Sequence, residues 1–178
     1  IQAGDNGTIS RQHQNSQKDL SRIRESLVKD LMTNPTELTA EALRDTYHVE
    51  TYGGMYQVFM VKIDGGSGQV SRSGLEVMQE KIKDIFSLAP VCHDMLLHFQ
   101  SFTGCGVMNY DPAKKDEVRR GLRECLNHLE VKRSLLGPFE FSVSLGIAVD
   151  APEKMPLSLE SARNAMTERL IQGTGRLL

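Results

Sequence analysis

The chain has 178 residues, enough for one ordinary domain with a real core and too few for two comfortable ones. Its 39% hydrophobic and 25% charged residues are globular values, and a net charge of -2 gives no electrostatic reason for this piece to hold DNA or an acidic membrane by itself. No run reaches the apolar length that spans a bilayer, and Cys92, Cys105 and Cys125 are too widely spaced for a disulfide framework, so a reducing cytoplasm without membrane contact is the expected setting.

The opening IQAGDNGTIS lacks Met and has no signal-peptide pattern, and reads as the start of an excised fragment. Residues 1 to about 16 are polar and rich in Gly, Asn and Gln, which predicts a mobile lead. Leu20, Ile23, Leu27, Val28 and Leu31 then recur at three- and four-residue steps. This spacing predicts an amphipathic helix over Lys18–Met32, ended by Asn34-Pro35. TAEALRDTY predicts a short helix with Thr39 as its N-cap. Met55–Asp64, MYQVFMVKID, is aromatic and β-branched and predicts a strand buried on both faces; GGSGQVSRSG breaks it.

Leu75, Val77, Met78, Ile82, Ile85 and Phe86 form a helical stripe over Leu75–Leu88, stopped by Ala89-Pro90. DMLLHFQSF and CGVMNY read as two strands of a hairpin turning at Thr103-Gly104. Asp111-Pro112 opens a helix with Val118, Leu122, Cys125, Leu126 and Leu129 on one face, and Gly137-Pro138 ends it. FEFSVSLGIAVD, Phe139–Asp150, alternates large apolar residues with Ser142, Ser144, Gly146 and Ala148, the period of a half-buried strand whose smaller side faces solvent or a close partner. A helix over SLESARNAMTERLIQ, closed by Gly173, and a stub GRLL finish the chain. The order predicts an α+β fold: one mainly antiparallel sheet with helices on one face, without internal repeats.

Several motifs carry little chemistry. Asp64-Gly65-Gly66-Ser67-Gly68 lacks both the Gly-Lys-Ser/Thr ending and the GxGxxG spacing of phosphate loops, so a plain turn is expected. Cys92, His93 and His98 have no CxxC or HExxH partner, and the five histidines give no triad spacing. Cys125 on its apolar face, and Met55, Met60 and Met78, read as core.

FSVSLGIA followed by LSLESARNAMTERLIQGTGRLL resembles the end of the GGDEF, or nucleotide-cyclase, fold. The resemblance is closer to its degenerate relatives, the GGDEF-like central domains of AraC-type regulators, especially YesN-like two-component response regulators, whose last helix often ends in a run like RLIQGTG. The resemblance covers about Leu20 to Leu178 and implies a ferredoxin-like, nucleotide-cyclase-like antiparallel sheet. An N-terminal linker helix would precede it: 1–35 as flexible start and linker helix, 36–178 as the GGDEF-like domain.

Active diguanylate cyclases carry DIDxFK and GGDEF because two carboxylates must hold Mg²⁺ against triphosphate oxygens. Here the first motif aligns with KIDGGS, so Lys62 stands where a metal carboxylate belongs, and the hairpin FTGCGVM contains no acid. The resemblance therefore implies no enzyme activity, no catalytic or metal-ligating residues and no cofactor. It implies a regulatory and dimerisation domain that relays a signal in a transcription regulator. An upstream receiver or sensor would supply the input, and DNA would be reached only through a C-terminal helix-turn-helix module outside this fragment. A homodimer is expected to pair through Leu20, Ile23, Leu27 and Leu31, unless that stripe packs on the domain's own sheet. The alternative is a small-ligand sensor using a vestigial nucleotide cleft at Lys62, Asp64, Thr103 and Gly104.

Overall fold

The computed structural model describes residues 5–34, 38–65, 70–86, 91–173 and 175–178. The first element, α1, runs from Asp5 to Thr33, so from residue 5 the chain is helical where a mobile lead was expected. Polarity there removes a buried face but not helix propensity, since Arg11, Gln12, Gln14, Gln17 and Lys18 are good helix formers. After it, α2 (Ala40–Asp45) starts at the expected cap, the Thr39 hydroxyl accepting from Ala42 N at 3.0 Å.

The sheet begins with β1, Met55–Asp64, buried along most of its length as its composition predicts. Then come α3 (Arg72–Phe86), β2 (Asp94–Gln100) and β3 (Thr103–Tyr110). The hairpin turns at Ser101-Phe102, not at Thr103-Gly104. Ser101 takes the left-handed φ of 55° that the turn requires, and Thr103 and Gly104 open the strand. Asp111 caps a single 3₁₀ turn that leads into α4 (Lys115–Val131) and the short α5 (Arg133–Leu136). The predicted stop at Ala89-Pro90, and Pro35, lie outside the described residues.

The next strand, β4, covers only Glu140–Leu145. Phe59 pairs with Leu145 and Tyr56 bridges Val149, so three steps along β1 face four along this segment. That extra residue is a β-bulge, and it turns Val149 to the opposite face from Val143. The chain closes with α6 (Met155–Thr167) and α7 (Arg169–Gln172), which ends at Gly173 with φ 92°. The final residues pair beside β4: Val143 N donates to Arg176 O at 2.9 Å and Leu178 N to Val143 O at 2.7 Å.

The strand order is β2-β3-β1-β4, with every pair antiparallel. With α3 between β1 and β2 and α4 between β3 and β4, this is the ferredoxin-like βαββαβ arrangement. The α+β class and the antiparallel sheet are as expected, and α3 and α4 cover one face around Phe59, Val61, Ile63, Met108, Phe141 and Val143. The opposite face is covered as well, which the expectation of helices on one face did not include. Its residues Tyr56, Val58, Met60, Cys105 and Val107 are apolar, and α1, α2 and α6 bury them.

The small side of β4 accordingly faces neither solvent nor a partner. Ser142 and Ser144 are fully buried, Ser144 Oγ donates to Ala162 O at 2.8 Å, and Ser158 Oγ of α6 accepts from Val58 N at 2.8 Å. Small residues are needed there because α6 lies directly on the strand. Among the described residues no helix is long and apolar enough to cross a membrane.

Candidate functional site

Of the four cleft positions, Lys62 and Thr103 are register partners across β1 and β3, and Lys62 Nζ donates to Thr103 Oγ1 at 3.1 Å. Asp64 lies two residues along the same face. Its Oδ2 accepts from Arg169 Nε of α7 at 3.1 Å, while Arg169 Nη1 donates to Met166 O at 3.0 Å. Gly104 points the other way, since neighbouring strand residues alternate faces. A Cβ at Gly104 would lie 2.8 Å from Cε1 of the Phe99 ring, so its missing side chain makes room for an aromatic core residue. Gly66 and Ser67 lie outside the described residues.

A divalent cation held as in the active cyclases needs two carboxylates. At these positions the chain offers an ammonium group, which has no lone pair for a metal, and a carboxylate already shared with a guanidinium. The residues present do not fit the metal.

The helix stripe divides in two. Leu27 and Leu31 are buried in the core over β2 and β3, together with Val28, whereas Leu20 is 46% exposed and Ile23 39% exposed. Every residue from 10 to 23 is exposed, a stretch of about 20 Å at the helical rise, so this part of α1 has no buried face. Where the free and buried parts meet, two ion pairs fix the helix. Arg24 is salt-bridged to Asp94 at the start of β2. Lys83 Nζ reaches both carboxylate oxygens of Glu25 at 3.0 Å, and His98 Nδ1 of β2 lies 3.8 Å from Oε2. Lys83 belongs to α3, on the opposite face from α1, so the Glu25 pair closes over the free edge of β2 and joins both layers. Further along, Tyr47 Oη donates to Asp30 at 2.7 Å and Arg163 of α6 to Met32 O at 3.1 Å.

No family model, no curated protein and no solved structure matches the chain. The site therefore stands on its own geometry: a helix clamped at one end and free at the other.

The anchor's electrostatics give a testable sign. Burial works to raise the Glu25 pKa, but the His98 imidazole beside it and the Lys83 ammonium together hold it below its ordinary value. A depressed carboxylate stabilises the fold above its unfolded pKa, roughly 4.3 for Glu, and loses that contribution as pH falls through the folded value. Glu25→Gln should thus lower the unfolding free energy in urea slightly at pH 7, by under about 1 kcal/mol for a pair near the surface, with the difference from wild type shrinking as pH falls below roughly 4.3. A constant difference from pH 7 to pH 3 would show that the Glu25 charge is not involved.

The three thiols are held in the protonated form. Burial pushes Cys92 and Cys125 each to about 11, with smaller contributions from Asp94 and Glu124, and pushes Cys105 to about 12. Sequence reasoning missed Arg24, Glu25, Lys83, Asp94 and Arg169. One available signal was that Arg169 opens the run RLIQGTG.

Proposed function

We propose that the chain is a non-catalytic regulatory domain of the degenerate GGDEF-like kind, acting in the cytoplasm within an AraC-type, two-component transcription regulator. In this reading α1 receives the input of an upstream receiver or sensor, pairs with its copy in a homodimer, and passes a shift to a DNA-binding helix-turn-helix module. The observation that carries it is the division of α1. A helix without a buried face over 14 residues gains no tertiary stabilisation there, and such helices typically bridge between modules. Leu20 and Ile23 continue the apolar steps of the anchored half into the free half, which supplies a short seam for a second α1. The clamp around Glu25 makes the free half a lever on the sheet. Lys62 at the metal position and the acid-free hairpin support the absence of catalysis.

The test is the oligomeric state. Sedimentation equilibrium should show a concentration-dependent dimer, and Leu20→Glu with Ile23→Glu should abolish it while leaving the melting temperature of the monomer unchanged. A wild-type chain that stays monomeric at high micromolar concentration would remove α1 pairing from the proposal.

A further inference from the structure

The groove between α3 and the α4–α5 unit is assigned no role by the α1 reading. One part, of about 290 Å³, has Ile85, Leu135 and Leu136 as its floor, with Lys81, His128 and Lys132 at its rim and Asp84 on one wall. A second part, of about 350 Å³, shares Lys81, Leu135 and Leu136 and continues over Val77 and Met78. The shared residues make the two parts one trough along α3. Leu135 is 78% exposed and Val77 54%, a concentration of uncovered apolar side chains at a concave place. Lys81 and Lys132 are both exposed at this rim.

We propose that this groove binds a small amphiphilic carboxylate, its head between Lys81 and Lys132 beside His128 and its aliphatic chain along Leu135 and Leu136 toward Val77 and Met78. An apolar floor with a few convergent polar groups is the usual make-up of a small-molecule site, and the volume suits a small ligand. Charge complementarity fixes the sign: two lysines and an imidazole share the groove with one carboxylate, and an anionic head balances the set. Because lysine stems cover apolar surface while their heads stay in water, head and chain of such a ligand would be met by the same two residues. The proposal is independent of the α1 dimer, since none of these residues lies on α1.

Octanoate is the probe, followed by amide chemical shifts on the whole 178-residue chain. Saturable shifts are expected on α3, α4 and α5, and affinity should rise about fourfold per methylene from butyrate to octanoate. Octanol should bind at least tenfold more weakly. Lys81→Glu with Lys132→Glu should weaken octanoate tenfold or more while the melting temperature stays unchanged, because both side chains are exposed. Leu135→Ser, also at an exposed position, should weaken octanoate and octanol alike. Equal binding of octanoate and octanol, full retention of affinity in the double-lysine variant, or shifts confined to other surfaces would each overturn the proposal. So would a dimer that survives Leu20→Glu with Ile23→Glu and is broken by Leu135→Ser, which would make the groove an interface between copies.

Discussion

A chain carrying Leu27→Ala and Leu31→Ala is expected to lose cooperative thermal melting. Both leucines are essentially inaccessible and lie, with Val28, in one buried cluster with Leu96 of β2 and Cys105 and Val107 of β3. A single buried Leu→Ala change costs about 2–5 kcal/mol through lost transfer energy and the cavity left behind. The two sites lie one turn apart and share neighbours, so their effects need not add, but together they approach the roughly 5–15 kcal/mol that holds an ordinary domain together. Leu20→Ala with Ile23→Ala, one and two turns earlier on the same stripe, should leave the unfolding transition of the monomer where it is. Circular dichroism melting of the two double variants decides the matter. A cooperative transition within a few degrees of wild type for the Leu27/Leu31 variant would mean that α1 does not belong to the core.

The stripe itself was legible in the sequence, and its division was not. Leu20 and Leu27 are the same residue at matching steps, and only the extent of the sheet beneath determines which is covered. The ion pairs that mark the boundary join residues 70 and 58 positions apart, a separation that leaves no spacing signal. The cleft shows the converse. Lys62, Asp64, Thr103 and Gly104 look like a set when aligned to a motif, yet strand alternation places Gly104 on the opposite face from the other three, and Asp64 is engaged by an arginine 105 residues away.

Most of the fold was readable because β1, α3 and α4 carry strong periodicity and sharp breaks. The bounds of β1 coincide with the aromatic and β-branched run. The errors have local causes. Gly104 suggests a turn, but its missing side chain serves the Phe99 ring, and the turn uses Ser101 in a conformation that serine rarely adopts. In Phe139–Asp150 the two-residue period runs on unbroken through the bulge, so the sequence hides the point at which the inward side changes from one core layer to the other. The second buried face was implicit in β1, whose residues are apolar on both sides.

That bulge is where a single methyl group should do the most damage. Gly146 N donates to Val58 O at 2.8 Å and Gly146 O accepts from Gln57 Nε2 at 2.6 Å, so its backbone is held on both sides. A Cβ there would lie 2.0 Å from the carbonyl oxygen of Ser158 in α6, a backbone atom that no rotamer change can move. Relief requires shifting α6 away from β1 and β4, which would lengthen the bonds from Val58 N to Ser158 Oγ and from Ser144 Oγ to Ala162 O. Overpacking of this kind typically costs about 1–3 kcal/mol and more where the obstacle is rigid, so Gly146→Ala is expected at or above about 3 kcal/mol. For a chain of this length that corresponds to a melting temperature lower by roughly 6–12 °C. Ala148→Gly, two residues along in the same irregular segment, should change it far less. Melting within two degrees of wild type for Gly146→Ala would show that α6 does not sit on the bulge as closely as the fold requires.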